Sequence, residues 1–255
     1  MTGLPLEGVK VVDFTQVMLG PCCTQMLGDW GADVIKIERL GAGDLSRWSI
    51  DDPAGPLNPV FCSLNRNKRS IALDLRSESG RAIVRRLIER ADIVVNNFRA
   101  GAMERMGLGY EALAALNPRI IFAVGTGFGT EGPYVHKGGQ DVLAQAMSGV
   151  MARKCDPSEP TTIYPTALAD YSAGMHLVQG ILLALLQREF GVRKMHRRPD
   201  EAERNFTVPP DDHRVDRGLR IGECLAERTH RCCQQVARFK AGDPVGRVGG
   251  RDAGA

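Results

Sequence analysis

The chain lacks the short motifs that mark many nucleotide-binding and hydrolytic folds. It has no GxGxxG fingerprint after its first predicted strand, no phosphate-binding P-loop, no GxSxG elbow and no HExxH zinc motif. Residues 15–22 read TQVMLGPC where a dinucleotide site would place its glycines. The sequence therefore contains no motif evidence for a dinucleotide oxidoreductase, a P-loop NTPase, an α/β-hydrolase or a zinc protease.

Paired cysteines are also missing. The seven cysteines of this 255-residue chain are scattered and include no C-x-x-C spacing, which favours a reducing, cytoplasmic location. Cys224, His230, Cys232 and Cys233 lie near one another in sequence, but their spacing matches no usual zinc finger. We therefore expect no metal site.

Long apolar runs and a strong excess of one charge are absent as well. The run at 181–186 is too short to span a bilayer, and the first residues show no basic segment followed by an apolar stretch. Residues 1–190 carry 19 Lys and Arg against 20 Asp and Glu. We expect no signal peptide, no membrane association and no nucleic-acid surface in this part of the chain.

What is present is an alternation of strand-like and helix-like segments. Strands are predicted at residues 9–14, 33–38, 70–75, 92–96 and 119–125. Helices are predicted at 22–30, 79–90 with Ser79 as N-cap, 102–106, 110–116, 141–151 and 167–189, and long loops at 40–60 and 126–139. Such alternation predicts an α/β fold: a Rossmann-like, open, mostly parallel sheet with helices on both faces, over residues 1–190.

The character of the chain changes after residue 190. Residues 191–255 contain 12 large apolar side chains and 24 charged ones, of which 12 are arginines. A segment of this composition buries little surface and is expected to be largely irregular. One possible helix covers 221–239, where apolar residues recur on one helical face.

Asp170 stands near the start of the apolar segment 167–189. Its position at a helix N-terminus favours an ionised carboxylate, because backbone N–H groups and the helix dipole stabilise negative charge there. An ionised, partly desolvated carboxylate can attack an activated acyl group. Aspartate is equally a common N-cap residue, so the sequence position alone leaves both interpretations open.

A set of segments, in order, resembles one known family. They are LEGVKVVDFT (6–15), GP (20–21), LGDWGADVIKIER (27–39), GD (43–44), NRNKRSIALDL (65–75), NF (97–98), MGLGY (106–110), NPRII (117–121), QDVLAQAMSG (140–149) and Asp170 with its helix. Together they resemble the family III CoA-transferases, which include formyl-CoA transferases, carnitine CoA-transferases and α-methylacyl-CoA racemase. The resemblance covers residues 4–189.

The resemblance implies a CoA transferase that uses Asp170 as its nucleophile. In that chemistry the carboxylate takes the donor acyl group as a mixed anhydride, then forms an aspartyl-CoA thioester that the acceptor acid converts to the new CoA ester. Acyl-CoA and a small carboxylic acid are then the substrates, and no permanently bound cofactor is expected. The family further suggests an interlocked homodimer.

The resemblance also implies a CoA site, because CoA carries three phosphates and an adenine that require cations, backbone donors and an apolar wall. The matching positions are the basic Arg39, Arg76, Arg105 and Lys137, the wall residues Leu73, Leu75, Asn97, Phe98 and Met106, and the loop residues Val17, Met18 and Leu19 beside the thioester. Singly, each has another interpretation: Arg76 and Arg105 as solvated charges, Leu73 and Phe98 as core. Formyl-CoA transferases have a glutamine where this chain has Met18, which argues against oxalate or formate.

One position separates transferase from racemase. The racemases of this family use a histidine in a Gly-His-Asp turn as an acid or base, whereas this chain has Gly139, Gln140 and Asp141. Gln140 cannot exchange a proton at neutral pH, so the transferase is favoured. His136 lies nearby but does not match that position, and we expect it to be exposed.

The resemblance ends after residue 189. Family members usually continue with Thr-Gly-x-Gly-Gln, a second, smaller domain and a return to the first domain, and residues 188–198 read REFGVRKMHRR instead. This indicates a truncation or frame shift and predicts that the small domain is missing. A site without that domain is open to water, so an inactive CoA-binding fragment, or a subunit that associates with other chains, is a further alternative.

Overall fold

The structure, a computed structural model, describes residues 3–48, 58–152 and 162–196, with side chains described up to residue 190. The possible helix at 221–239 and nearly all of the segment 191–255 lie outside the described residues. Part of the long loop predicted at 40–60 also lies outside them.

Within the described residues, five strands form one parallel sheet. They are β1 (Lys10–Asp13), β2 (Asp33–Arg39), β3 (Lys68–Leu73), β4 (Ile93–Asn96) and β5 (Ile121–Val124). Their order in the sheet is β3-β2-β1-β4-β5, and every neighbouring pair is parallel. The order reverses between β1 and β4, as in doubly wound nucleotide-binding folds. The predicted α/β fold is confirmed.

Seven α-helices connect and extend these strands in the described part of the chain. They are α1 (Leu19–Asp29), α2 (Pro59–Asn65), α3 (Glu78–Ile88), α4 (Ala102–Arg105), α5 (Tyr110–Leu116), α6 (Asp141–Met147) and α7 (Leu168–His196). Short 3₁₀ turns occur at Leu45–Trp48 and Val150–Ala152. The helices α1 and α7 contact each other more extensively than any other pair of helices.

Hydrophobic side chains cover both faces of the sheet. On one face, alternate strand residues such as Val11 and Val95 pack with α1 and α7. On the other face, Val12 and Val94 pack with α3, α4 and α5. Neighbouring strand residues therefore point into two separate cores, which is why these strands read as continuous apolar runs.

Several local expectations were wrong in detail. The N-cap of α3 is Ser77, whose hydroxyl accepts the N–H of Gly80, and not Ser79. The predicted 141–151 helix ends at Met147, where a 3₁₀ turn soon follows. The helix α2 was missed, although Asn58 caps it and Pro59 occupies its first turn, a pattern typical of helix starts.

The helix α7 is apolar on two opposite faces. Its inner face contributes Leu177, Val178 and Ile181 to the core shared with α1 and β5. Its outer face carries the exposed side chains Tyr171, Met175, Leu183, Leu186 and Phe190. By length and composition alone Leu168–Phe190 could span a membrane, but its inner face is a core face of this domain.

Candidate active site

The predicted site residues lie at the carboxyl edge of the sheet or in the segments that follow its strands. Val17, Met18 and Leu19 follow β1, and Arg39 is the last residue of β2. Leu73 is the last residue of β3, and Leu75 and Arg76 come just after it. Asn97, Phe98, Arg105 and Met106 follow β4, and Lys137 lies in the loop after β5. Ligands of open α/β sheets bind at this edge, near the strands between which the order reverses. Here those strands are β1 and β4.

Side chains of neighbouring strands and loops hold the β1–α1 loop at this edge. Asn97 forms a reciprocal pair with Gln16: its Oδ1 accepts the Gln16 N–H at 2.8 Å and its Nδ2 donates to the Gln16 carbonyl at 2.7 Å. This pair crosses the gap between β4 and β1. The amide of Asn97 thus has a structural task, whatever it contacts in a ligand.

The residues on either side of Gln16 are held in the same way. The Thr15 N–H donates to Asp13 Oδ1 at 2.7 Å, and the Thr15 carbonyl accepts from Lys36 Nζ at 2.6 Å. The Val17 N–H donates to Asp44 Oδ1 at 3.0 Å. Five backbone groups in three consecutive residues are therefore bound by side chains, and the loop has a fixed shape.

Two buried ion pairs lie beneath this loop. Lys36 Nζ is 2.8 Å from Asp44 Oδ2, and Lys68 Nζ is 3.2 Å from Asp13 Oδ2. Burial acts to raise the pKa of Asp13, but the Lys68 and Lys36 ammonium groups and two hydroxyl hydrogen bonds hold that pKa below its ordinary value. Burial lowers the pKa of Lys68, and the Asp13 carboxylate opposes the change.

Val17 has a strained backbone. Its φ is +66°, in the left-handed region that β-branched residues rarely adopt. Its side chain is 40% exposed, so core packing does not hold it there. Strain of this kind persists when surrounding contacts fix the backbone, and it is common at ligand sites.

Asp170 lies in the first turn of α7 and is half-buried. It is not the N-cap. The carboxylate of Asp141, at the start of α6, takes the capping role instead: its Oδ1 accepts the N–H groups of Ala169 at 2.6 Å and Asp170 at 3.0 Å. One side chain from a distant helix thus satisfies two of the free donors of α7.

The environment of Asp170 raises the pKa of its carboxyl group to about 6. Burial is the main cause, and the neighbouring Asp141 carboxylate adds to it. The expectation that the helix terminus would simply favour ionisation was therefore incomplete. At neutral pH the group is still mostly ionised, yet it is far more basic than an ordinary aspartate.

Close packing of α7 on α1 brings Asp170 towards the β1–α1 loop. A Cβ atom on Gly174, one turn after Asp170, would lie 2.6 Å from the Leu19 carbonyl oxygen and 3.2 Å from Cys22 Cβ. Burial raises the pKa of the Cys22 thiol, Lys68 opposes this, and the charge of Asp170 adds to it, so Cys22 and Asp170 are neighbours. Asp170 therefore lies near the start of α1, where the β1–α1 loop ends.

The four predicted basic residues, Arg39, Arg76, Arg105 and Lys137, are all exposed at this edge. Lys137 Nζ lies 4.3 Å from the centroid of the Tyr134 ring. Arg76 follows β3 and Lys137 follows β5, which are the two outer strands of the sheet. These strands are four strand spacings apart, a distance of about 19 Å. The cations thus extend across the edge instead of forming one cluster.

The predicted wall residues are partly core residues. Leu73 is buried, and Leu75, Phe98 and Met106 pack half-buried against the second core cluster. A shallow open hollow beside the ends of β4 and β5 is lined by Phe98, Arg99, Tyr110 and neighbouring residues, but it does not include Asp170. The core interpretation of Leu73 accounts for its burial.

Two further expectations concern groups beside the site. His136 is exposed, as expected, and Gln140 is exposed at the start of α6. Among the described residues no group of three or more His, Cys, Asp or Glu side chains is arranged to hold a metal ion.

Sequence reasoning missed the capping role of Asp141 and the two buried ion pairs. Charged residues inside apolar strands, Lys36 in β2 and Asp13 in β1, were the available signal, because buried charges require partners. The role of Asp141 had a weaker signal, since its contacts lie 28 and 29 residues away in sequence.

The fold and the site define a doubly wound α/β protein with ligand-binding loops at the carboxyl edge of its sheet. A basic aspartate on a long helix lies near the end of the first of these loops. The profile of CoA-transferase family III matches residues 6–194 of the chain. The chain belongs to this family, and the resemblance seen in its sequence is confirmed.

Individual relatives agree with this assignment. An acyl-CoA transferase from Fusarium pseudograminearum is 42% identical over 191 residues, which cover 72% of this chain and 42% of that protein. A formyl-CoA:oxalate CoA-transferase from Escherichia coli O139:H28 is 44% identical over 185 residues, covering 72% of this chain and 44% of that protein. The chain spans less than half the length of these curated relatives.

Solved structures show the same fold. A CAIB/BAIF family protein from Brucella suis superposes with a TM-score of 0.72 at 32% identity, covering 97% of this chain and 61% of that chain. A hypothetical protein, Rv3272, from Mycobacterium tuberculosis gives a TM-score of 0.68 at 37% identity, covering 74% and 52%.

Proposed function

We propose that the protein moves CoA from an acyl-CoA donor to a carboxylic acid acceptor, with Asp170 as the nucleophile. The observation that carries this proposal is the half-buried Asp170 carboxylate, whose pKa is raised to about 6 and which lies one turn before Gly174, where α7 packs against Leu19 at the end of the β1–α1 loop. Its basicity supports nucleophilic attack, while most of it stays ionised at neutral pH.

The proposed reaction proceeds through three covalent intermediates: an anhydride with the donor acid, a thioester with CoA and an anhydride with the acceptor acid. A carboxylate oxygen of Asp170 attacks the thioester carbonyl, the C–S bond breaks, and CoA leaves as a thiolate. The thiolate then attacks the Asp170 carbonyl carbon, releasing the donor acid as a carboxylate and forming an aspartyl-CoA thioester. The acceptor carboxylate then attacks the Asp170 carbonyl carbon and displaces the thiolate, which gives a mixed anhydride with the acceptor. The thiolate attacks the acceptor carbonyl of this anhydride, which forms the new CoA ester and frees the Asp170 carboxylate.

We propose that the CoA moiety lies along the carboxyl edge of the sheet. The exposed Arg39, Arg76, Arg105 and Lys137 would bind its phosphates, because charge-assisted hydrogen bonds to phosphate are strong. Phe98 and Met106, half-buried beside β4, would supply the apolar wall for adenine with Leu75, while the buried Leu73 would support it from the core and Asn97 would hold the adjacent loop. The span of about 19 Å between the outer strands suits an extended ligand such as CoA.

The loop suggests which acids react. Met18 and Leu19 give the loop near Asp170 an apolar character, where formyl-CoA transferases have a glutamine at the first of these positions. We therefore propose acyl groups with apolar chains in preference to oxalate or formate. An apolar pocket discriminates by about 1–3 kcal/mol per methylene group.

The remaining parts of the proposal concern assembly and location. We propose that residues 1–190 form the CoA-binding domain and that a second copy of the chain covers the outer face of α7, as the family suggests. The exposed Met175, Leu183 and Phe190 support this, since large apolar patches often mark interfaces. The free thiols of Cys22, Cys23 and Cys62 support a cytoplasmic location.

Covalent trapping tests the reaction. The purified chain is incubated with acetyl-, butyryl- and succinyl-CoA, each with and without the same acids as acceptors, and hydroxylamine traps activated aspartate as a hydroxamate for mass spectrometry. We expect the adduct on Asp170, with none in Asp170→Asn. Binding of CoA without any adduct in the unsubstituted chain would show a CoA-binding module instead, and α-proton exchange without transfer would show a racemase.

A further inference from the structure

We propose that Asp44, paired with the buried Lys36, is a positioning residue that holds the β1–α1 loop in its reactive shape beside Asp170. The inference rests on the proposed function, because it concerns the same site. Asp44 does not contact the nucleophile. It acts through the backbone of Val17.

Asp44 is itself rigidly placed. It is 1% exposed, and it follows Gly43, whose φ of +65° turns the chain back towards β2. Its N–H donates to Glu38 Oε2 at 2.8 Å, and its Oδ1 accepts from Ser46 N at 2.9 Å and Ser46 Oγ at 2.8 Å. These bonds are local, within the turn that carries Asp44.

Two other contacts of the Asp44 carboxylate leave this turn. One is the ion pair with Lys36 on β2, and the other is the bond from the Val17 N–H at 3.0 Å, 27 residues away in sequence. The buried turn needs neither contact for its own hydrogen bonds. Both contacts instead fix the β1–α1 loop, since Lys36 Nζ also donates to the Thr15 carbonyl.

The bond to Val17 decides the loop conformation. A β-branched residue at φ +66° is strained, and the exposed Val17 side chain gains little packing in return. A buried hydrogen bond to a charged acceptor is among the stronger ones in proteins, strong enough to offset that strain. Without the acceptor, Val17 is expected to relax towards φ < 0.

Such a relaxation would reach Asp170. The direction of the chain at Val17 sets the path of Met18 and Leu19, where α1 begins, and the Leu19 carbonyl abuts Gly174 on α7. Asp170 lies one turn before Gly174. A displacement of about 1 Å between reacting groups can slow a reaction about 100-fold, so a loop shift would reduce the rate of acyl capture.

The charge of Lys36 must be removed together with that of Asp44, because a buried charge left without its partner would destabilise the fold by itself. The double variants Lys36→Met/Asp44→Asn and Lys36→Met/Asp44→Ala are both neutral at the pair. Asparagine keeps an oxygen that can accept the Val17 N–H, and alanine does not. The two variants thus differ in the oxygen that accepts from Val17 and from Ser46, and Ser46→Ala separately removes the bond from the Ser46 hydroxyl.

The experiment measures three quantities for the parent, both double variants and Ser46→Ala, which removes a bond to Asp44 without touching Val17. These are the rate of adduct formation on Asp170 at saturating acyl-CoA, the affinity for CoA by calorimetry, and hydrogen exchange at the Val17 amide. The acyl-CoA is the one among acetyl-, butyryl- and succinyl-CoA that gives the most adduct with the parent.

We expect the adduct rate of Lys36→Met/Asp44→Ala to fall at least about 10-fold below that of Lys36→Met/Asp44→Asn, with CoA affinities within about 2-fold. The Val17 amide should exchange faster in the alanine double variant, and Ser46→Ala should match the parent. Equal rates and equal exchange in the two double variants would overturn the inference. If the parent forms no adduct, the proposed function fails, while hydrogen exchange still decides whether Asp44 holds the loop.

Discussion

At the scale of single residues, the surroundings of Asp170 disfavour its negative charge and so make its carboxylate more basic, which the proposed nucleophilic attack would exploit. Burial and the Asp141 carboxylate raise the pKa of Asp170 to about 6 from an ordinary value of 3.8. A nucleophilic carboxylate must be ionised, so the raised pKa sets the lower pH limit of the proposed reaction.

The rate of adduct formation should therefore titrate with an apparent pKa near 6, falling as the pH decreases through this value. Asp141→Asn removes the nearby negative charge but keeps an oxygen that can cap α7, so it should lower the apparent pKa and retain the rate to more acidic pH. Asp33→Asn, at the opposite edge of the sheet, is the control and should leave the profile unchanged. An unchanged profile in Asp141→Asn would contradict this account of the pKa.

The same pKa predicts an effect on stability. Because the folded-state pKa of Asp170 is raised, its contribution is most favourable below pH 3.8 and is lost as the pH rises through about 6. Asp170→Asn should therefore stabilise the fold at pH 7.5, by about 1–2 kcal/mol after allowance for partial exposure. Urea unfolding at pH 7.5 and pH 4.5 measures this, and the gain should shrink at the lower pH.

Single residues were predictable from the sequence where their role is local or shared by a family. The sequence locates Asp170 and its helix, but not the contacts that set its pKa. Asp141 caps α7 from another helix, across 29 residues of chain. Local propensity contains no signal for such a contact, so the sequence left open whether Asp170 caps its own helix.

At the scale of elements, β3 presents two adjacent cations to different surroundings. Lys68 points into the protein, where its side chain is 1% exposed beside Asp13. Arg69, the next residue, is 66% exposed and pairs with Asp33 at the surface. Strand geometry explains the difference, because consecutive side chains point to opposite faces.

Lys68→Met should destabilise the protein by about 3–5 kcal/mol, since it leaves the buried Asp13 carboxylate without its cation. Arg69→Met, the matched control, should cost less than about 1 kcal/mol, because exposed ion pairs contribute little. Chemical denaturation at neutral pH compares the two. Similar losses in both variants would mean that the Asp13–Lys68 pair contributes no more than a surface pair.

Element types were predicted well, whereas their ends were not. Short apolar runs bounded by turn residues identified most of the strands, since burial on both faces of the sheet produces such runs, and alternation identified the edge strand β3. The end of a helix depends on a few side-chain bonds, as at Ser77 for α3 and Asn58 for α2. Ser79 is as good an N-cap candidate as Ser77 by residue type, and only the three-dimensional structure shows which of the two caps the helix.

At the scale of the whole molecule, the sequence predicted an α/β sheet but not the order of its strands. Strand order depends on which crossover packs on which face, and the two apolar faces of each strand look alike in sequence. The structure supplies the reversal between β1 and β4, which explains why predicted site residues scattered over 121 positions, from Val17 to Lys137, lie along one edge.

The outer face of α7 gives a prediction about assembly. Leu183, which is 64% exposed, is expected to lie in an interface between two copies, so Leu183→Glu should shift the molecule towards the monomer. Ile83→Glu, at an exposed apolar position on α3, should have no such effect. Sedimentation velocity over a range of concentrations measures both, and a parent chain that is monomeric throughout would count against the second copy.

The side-chain hydrogen bonds to the backbone of residues 15–17 also constrain the order in which the chain can fold during synthesis. The backbone of Gln16 has no partner of its own until Asn97 has left the ribosome, 81 residues later. Thr15 and Val17 gain their partners Lys36 and Asp44 earlier in synthesis, so the β1–α1 loop has its full set of side-chain bonds only when Asn97 is in place. Its maturation is a late event, and any ligand that recognises the finished loop can serve as a probe of completed folding.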